Sequence, residues 1–155
     1  MTPPDPALRF LCRYQAILDP ETQPIGRVPG GTRNTVLIAG GSVEGERLRG
    51  EVLPGGGDWA LIDDTGTLHL DVRATFRTHD GALIHVTYPG ILRPYSPHLR
   101  SQLDSGELNP EDLYFRIAPR FETGASAYSW LNSILAIGFG TLVQGGVAYD
   151  IFEVS

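Results

Sequence analysis

Lysine is absent from this chain: the twelve basic residues are all arginine. A Schiff-base amine and the lysine of a phosphate-cradling P-loop are excluded with it. Cysteine occurs once, at Cys12, so an internal disulfide, a cysteine zinc site and an iron–sulfur cluster lack their ligands. Cys12 lies in the run LRFLCRYQAIL and reads as a buried, unreactive thiol. Positive charge is scarce and scattered, and the net charge is −6. Without a basic stripe there is no electrostatic footprint for nucleic acid. No apolar run approaches the ~20 residues that cross a bilayer. The opening residues MTPPDPALRF show no basic segment followed by an apolar one, so a cytoplasmic protein without membrane contact is expected. Neither a G-x-S-x-G elbow nor a G-x-G-x-x-G fingerprint occurs, and no internal repeat is visible.

Turn-forming residues, by contrast, are plentiful: 19 glycines and 12 prolines in 155 residues. They fall as punctuation between short apolar, β-branched and aromatic runs, which is the pattern of many strands and tight turns. The runs are 8–18, 34–39, 47–53, 58–62, 67–78, 82–91, 114–122, 133–143 and 147–154. The pair Asp80-Gly81 suits the tight turn between the fifth and sixth of them. A Pro/Gly-rich stretch (QPIGRVPGGTR) precedes Asn34. Residues 92–112 break the rhythm, with a helical turn expected from Asn109 and another, capped by Ser126, over Ala127 to Asn132. About nine strands leave no room for long helices, so βαβ folds are excluded and the class is all-β. A chain of this length supports one core, so residues 1–155 are expected to form a single domain. Closure removes exposed sheet edges, which favours a small closed antiparallel barrel of about 8–9 strands over its rival, a two-sheet sandwich.

The segment LHLDVRATFR at 68–77 is the clearest amphipathic strand. Side chains alternate along a strand, so Leu68, Leu70, Val72, Ala74 and Phe76 share one face, and His69, Asp71, Arg73, Thr75 and Arg77 the other. Two readings are open. The polar face meets water and its charges pair there, or the polarity inverts and Asp71 and Arg73 look into a ligand pocket. Gly55-Gly56-Gly57-Asp58-Trp59 is a second candidate. Three glycines suit a sharp bend or close approach, and a Trp beside an Asp can form an apolar wall that raises the carboxyl pKa. Its bland counterpart is a flexible hairpin loop with a core Trp. The third is YFRIAPRFETGASAYSWLN at 114–132, which gathers Tyr114, Arg116, Glu122, Tyr128, Trp130 and Asn132. An arginine fork grips carboxylate or phosphate, and the rings offer stacking surfaces. Equally, the rings fill the core and Arg116 pairs with Glu122. His69, His79 and His85 lack the spacing of a sequence-local metal site, so no metal is expected.

Four blocks resemble one known family: GGTR at 30–33, GGSVEGERLRGEVLPGGGDW at 40–59, LDVRATFRTHDGALIHVTYPGI at 70–91, and YFRIAPRFETGASAYSWLN at 114–132. By these the chain is similar to the bacterial domain of unknown function 3237 family, also called uncharacterised protein family 0311. The resemblance spans nearly the whole chain. It implies a compact β-barrel similar in outline to lipocalins and allene oxide cyclases, and it transfers no catalytic residues.

The sequence supports three functions. The leading one is a cofactor-independent enzyme doing proton-transfer chemistry (an isomerase, cyclase or lyase) on a small acidic or enolisable metabolite. Asp71 or Asp58 acts as general acid/base and Tyr128 as a second proton donor. Arg73 and Arg116 hold an anionic or enolate oxygen, and Trp59, Tyr114, Glu122, Trp130 and Asn132 complete the ligand site. The alternatives are a non-catalytic barrel binding an organic acid or phenol, and an oligomeric accessory protein that takes no ligand; a homodimer is the oligomer expected. The direction of the 68–77 polar face separates them: charges in solvent favour the accessory reading.

Overall fold

The computed structural model describes all 155 residues, Met1–Ser155. Eleven strands make one antiparallel sheet: β1 (Leu8–Leu18), β2 (Gln23–Val28), β3 (Gly31–Glu44), β4 (Gly50–Val52), β5 (Gly57–Ile62), β6 (Leu68–Thr78), β7 (Leu83–Arg93), β8 (Tyr114–Ile117), β9 (Arg120–Glu122), β10 (Leu135–Val143) and β11 (Gly146–Val154). Eight of them close a ring in the order β1, β3, β5, β6, β7, β8, β10, β11 and back to β1. The fold is therefore the closed antiparallel barrel expected, and the sandwich is excluded.

Two further strands continue staves of that ring. β4 and β5 both pair with β3 on one side and β6 on the other, so Leu53 to Gly56 forms a bulge within one stave. β8 and β9 both pair with β7, with the Ala118 amide bonded to the Pro89 carbonyl between them. β2 pairs only with β3 and extends beyond the ring. This Pro/Gly-rich segment is not among the strands expected from sequence. Pro24 is tolerated because an edge strand leaves one row of amides unpaired anyway.

Gly40-Gly41 was expected to end a strand, yet β3 runs through both to Glu44. Gly41 has φ +149°, and a Cβ there would lie 2.0 Å from the Gln15 carbonyl oxygen. Gly41 marks a close crossing of β1 and β3, where only glycine fits, whereas a Cβ at Gly40 would meet only the Val52 carbonyl at 3.8 Å.

The inner face carries alternate residues of each stave. On β6 these are Leu70, Val72, Ala74 and Phe76, all buried, while Asp71 and Arg73 face outward. One end of the barrel, here the lower, is filled by the rings of Tyr14, Phe76, Tyr88, Phe115 and Tyr149, with centroid separations of 4.9 to 6.0 Å. Gly140 makes room for this packing: a Cβ there would meet the Phe115 ring at 2.7 Å. A 3₁₀ turn at Ser126–Ser133, close to the turn expected from Ser126, covers that end. At the other end, residues 94–104, including a short helix at Leu99–Asp104, form a roof. Sequence reading left this helix out because its six residues carry neither a side-chain cap nor a full apolar period. Asn109 begins the 3₁₀ turn Pro110–Asp112, as its cap and proline suggested.

Candidate functional site

Between the aromatic floor and the roof lies a cavity of about 500 Å³, within the range of small-molecule sites. Most of its wall is aliphatic, from residues such as Val36, Ile38, Ala60, Leu70, Leu92 and Val147. The polar exceptions define its chemistry. Asp58 enters from β5, Asn34 from β3, Tyr88 from β7 and Tyr149 from β11, while Tyr95, Ser96 and Arg100 enter from the roof.

Register explains how Asp58 meets Tyr88. Asp58 lies opposite Val36 on β3 and Val72 on β6, and Val72 lies opposite Tyr88 on β7. Residues directly opposite one another point to the same face, so this row turns inward together. Asp58 Oδ1 accepts the Asp71 backbone N–H at 2.9 Å, and no basic side chain pairs with it. Burial pushes its pKa up to about 6, and the neighbouring Asp71 charge adds to the rise, against the bond from the Asp71 amide.

Tyr14 and Tyr88 share a hydrogen bond between their hydroxyls, 3.1 Å apart. Burial raises Tyr14 to about 12 and holds Tyr88 and Tyr149 well above the usual phenol value. The charge of Asp58 pushes Tyr14, Tyr149 and Tyr95 the same way. These phenols stay protonated at physiological pH and act as hydrogen-bond donors rather than bases.

Asn34 Oδ1 is buried and has no hydrogen-bond partner. Arg100, the one cation on the wall, is tied down at the rim: its Nη1 donates to the Val143 carbonyl and its Nη2 to the Gly146 carbonyl, both at 2.9 Å. The roof is further fixed by the Tyr95 amide, which donates to the Gly66 carbonyl at 2.8 Å.

Of the residues singled out from sequence, only Asp58 lies on this cavity. Asp71 and Arg73 face solvent and pair with each other at 3.4 Å, the outcome set out from sequence as favouring the accessory reading, so these two charges lend a pocket no support and any pocket chemistry rests on other residues. Trp59 is on the outside with the Arg73 guanidinium 5.4 Å from its ring centroid. It cannot be the apolar wall beside Asp58, because consecutive strand residues point to opposite faces; aliphatic side chains do that work. Arg116 also lies outside, over the rings of Tyr114 and Phe139 at 5.0 and 4.3 Å. Glu122 and Asn132 border a shallow outer groove near His85 and Arg120, and Asn132 bonds the Thr123 backbone in both directions. Tyr128 is buried at the lower end, where its hydroxyl donates to Asp80 at 2.8 Å. Trp130 packs nearby beneath the Arg47 guanidinium. The grouping of Arg73, Arg116 and Tyr128 around one enclosed ligand is thus corrected. A ring whose inner surface is aliphatic would charge several kcal/mol for each guanidinium turned inward without partners.

Sequence reasoning missed Asn34, Tyr88, Tyr149, Tyr95 and Arg100. A signal existed for three of them. Asn34 alternates with Val36 and Ile38, Tyr88 with Ile84 and Val86, and Tyr149 with Val147 and Ile151. Each is thus a polar group on an apolar face, as Asp58 is before Ala60 and Ile62. Nothing local marked Tyr95 or Arg100, whose positions depend on where the roof crosses the barrel.

Fold and site together define a closed antiparallel barrel with a single half-buried acid, Asp58, facing inward among phenols and aliphatic walls. The chain belongs to the family described as protein of unknown function (DUF3237), whose model matches residues 6–154. It is 37% identical over 131 residues to a UPF0311 protein of Rhodopseudomonas palustris, covering 83% of this chain and 84% of that one. A UPF0311 protein of Clostridium acetobutylicum is 30% identical, with 81% and 79% covered. Among solved structures, a β-barrel-like protein of Acinetobacter baumannii superposes with a TM-score of 0.86 at 33% identity, covering 99% of both chains. An enzyme from Penicillium herquei shares the fold with a TM-score of 0.76 at 21% identity, covering 100% of this chain and 98% of that one.

Proposed function

We propose that this barrel is a cofactor-independent enzyme that moves a proton on a small enolisable compound, with Asp58 as its acid/base. The observation that carries this reading is a carboxylate inside an apolar cavity without a counter-cation, its pKa raised to about 6. Such a group costs folding free energy and is poised for proton transfer near neutral pH.

In the proposed cycle, ionised Asp58 removes a proton from carbon next to a carbonyl. The C–H electron pair moves to form the enolate, and the negative charge settles on oxygen. Tyr88 and Tyr149 donate hydrogen bonds to that oxygen, with the Tyr14 hydroxyl behind Tyr88 reinforcing the chain. Asp58, now a carboxylic acid, returns the proton at a different carbon, and the carboxylate is regenerated. The aliphatic wall excludes water, which strengthens each of these interactions. The Penicillium herquei enzyme supports only the statement that this fold accommodates catalysis, because fold does not carry function by itself.

The test is deuterium incorporation from D₂O into a neutral bicyclic ketone, 2-tetralone, followed by NMR. The wild type should accelerate exchange, with the kcat/KM profile rising through about pH 6 as Asp58 ionises. Asp58→Asn should lower the rate about 10³-fold, whereas Asp71→Asn, on the outer face, should keep the plateau rate and move the rise of the profile to slightly lower pH, because the Asp71 charge no longer raises Asp58. Equal exchange in wild type and Asp58→Asn would remove the assignment. Binding without exchange would favour the non-catalytic alternative.

A further inference from the structure

The cavity combines three features that bear on its occupant. Its one strong acid, Asp58, is turned inward without a basic partner. Its one cation, Arg100, has both terminal nitrogens engaged by the Val143 and Gly146 carbonyls at the rim. Asn34 Oδ1 is a buried acceptor with no donor facing it. An anion entering this space meets the Asp58 charge and has no free guanidinium within the wall to offset its own desolvation. A purely apolar molecule leaves Asn34 unpaired, which costs the desolvation of that amide.

We infer that the cavity selects an uncharged, ring-bearing ligand carrying a hydroxyl, whose O–H satisfies the Asn34 amide while its apolar body fills the aliphatic wall. Organic acids are rejected. This rests on the reading of Asp58 as an inward-facing acid, and it makes Asn34 the residue that sets specificity. Asn34 lines the cavity and its Oδ1 has no partner within the protein; rotation about its soft χ2 turns the amide toward the ligand, and a hydroxyl satisfies either end of it, donating to the oxygen or accepting from the NH₂.

Three probes share one ring system and differ only in their polar group: naphthalene, 2-naphthol and 2-naphthoate. Affinities are measured by titration calorimetry on the intact chain at pH 7.5 and pH 5. At pH 7.5, 2-naphthol should bind at least tenfold more tightly than 2-naphthoate. The gap should narrow at pH 5, where Asp58 takes up its proton, and also in Asp58→Asn at pH 7.5. The ionisable groups facing Asp58 from the other elements do not change this expectation. Tyr14, Tyr88, Tyr149 and Tyr95 stay neutral across this range, and the charged side chains beside Asp58 are Asp71 behind the wall and Arg100 at the rim.

Asn34→Leu should bring the 2-naphthol affinity within about threefold of the naphthalene affinity. Asn34→Ser keeps a polar atom at the position and should restore part of the preference if Leu perturbs folding. Naphthoate binding as tightly as naphthol at pH 7.5 would overturn the inference. So would an unchanged naphthol preference in folded Asn34→Leu and Asn34→Ser, or the failure of all three probes to bind. Loss of ketone exchange with the selectivity intact would instead sink the catalytic reading and leave this one standing.

Discussion

An ionised carboxylate inside an aliphatic cavity is a cost to folding, and at Asp58 the cost has a sign and a pH window. Its folded pKa, about 6, lies above the ordinary value of about 3.9. The folded state therefore holds the proton more tightly than the unfolded chain. As pH rises from about 4 to about 6, the unfolded chain ionises first and stability falls. Above that window the full penalty applies, on the order of 1–3 kcal/mol. Asp58→Asn keeps an oxygen to accept the Asp71 amide and removes the charge. It should melt several degrees higher than wild type at pH 7.5, and the gain should vanish below about pH 4. Calorimetric melts across pH check this, and a variant less stable at pH 7.5 would mean that the carboxylate has a stabilising partner. Asp63 behaves in the opposite way. Hydrogen bonds from Thr65 and His69 hold its carboxyl below the usual range. That is the behaviour of a turn-forming residue at the surface, and it separates structural acids from the one that faces the cavity.

At the scale of the element, alternation along a strand was readable and long-range register was not. The two faces of 68–77 could be divided residue by residue from sequence, and β6 keeps that division. Which face turns inward depends on the other seven staves, and all present apolar residues to the same interior. A lone strand does not contain that fact. The same limit explains the glycines. Gly41 and Gly55 look alike in sequence, yet Gly41 lies where β3 crosses β1 and Gly55 faces open space. Both have positive φ, +149° and +111°, so alanine strains the backbone at either position by about 1–3 kcal/mol. Only at Gly41 does the added methyl also collide, 2.0 Å from the Gln15 carbonyl oxygen. Gly41→Ala should therefore destabilise the barrel by at least about 2 kcal/mol more than Gly55→Ala, measured by urea denaturation. Equal costs would show that β1 and β3 yield at their crossing. Asp58 was within reach of sequence because GGGDWALI places an acid on an apolar face. Tyr88 and Tyr149 obey the same rule, but in a barrel rich in aromatic core residues a tyrosine at an inward position does not reveal whether its hydroxyl meets a cavity or a packed neighbour.

For the molecule as a whole, the two ends of the barrel are closed by different means, and this separates stability from ligand retention. The lower end is plugged by the Ser126–Ser133 turn, where Tyr128 bonds Asp80 at 2.8 Å and Asn132 bonds the Thr123 backbone. Above it the rings of Tyr14, Phe76, Tyr88, Phe115 and Tyr149 fill the space between the turn and the cavity. The upper end is spanned by the roof, stapled to opposite sides of the ring: Tyr95 to Gly66 in the β5–β6 turn, and Arg100 to Val143 and Gly146 about the β10–β11 turn. Removing a staple above the cavity should change how long a ligand stays. Removing one below it should change how firmly the barrel is held. Arg100→Ala loses two charge-assisted bonds to carbonyls and should raise the 2-naphthol dissociation rate about tenfold, as read by stopped-flow fluorescence. Tyr128→Phe leaves the Asp80 carboxylate without its phenol donor. It should cost about 1–2 kcal/mol of unfolding free energy while leaving the 2-naphthol dissociation rate unchanged. If Tyr128→Phe accelerated ligand release as much as Arg100→Ala did, the ends would be coupled through the aromatic floor, and the roof could not be the gate that governs the cavity.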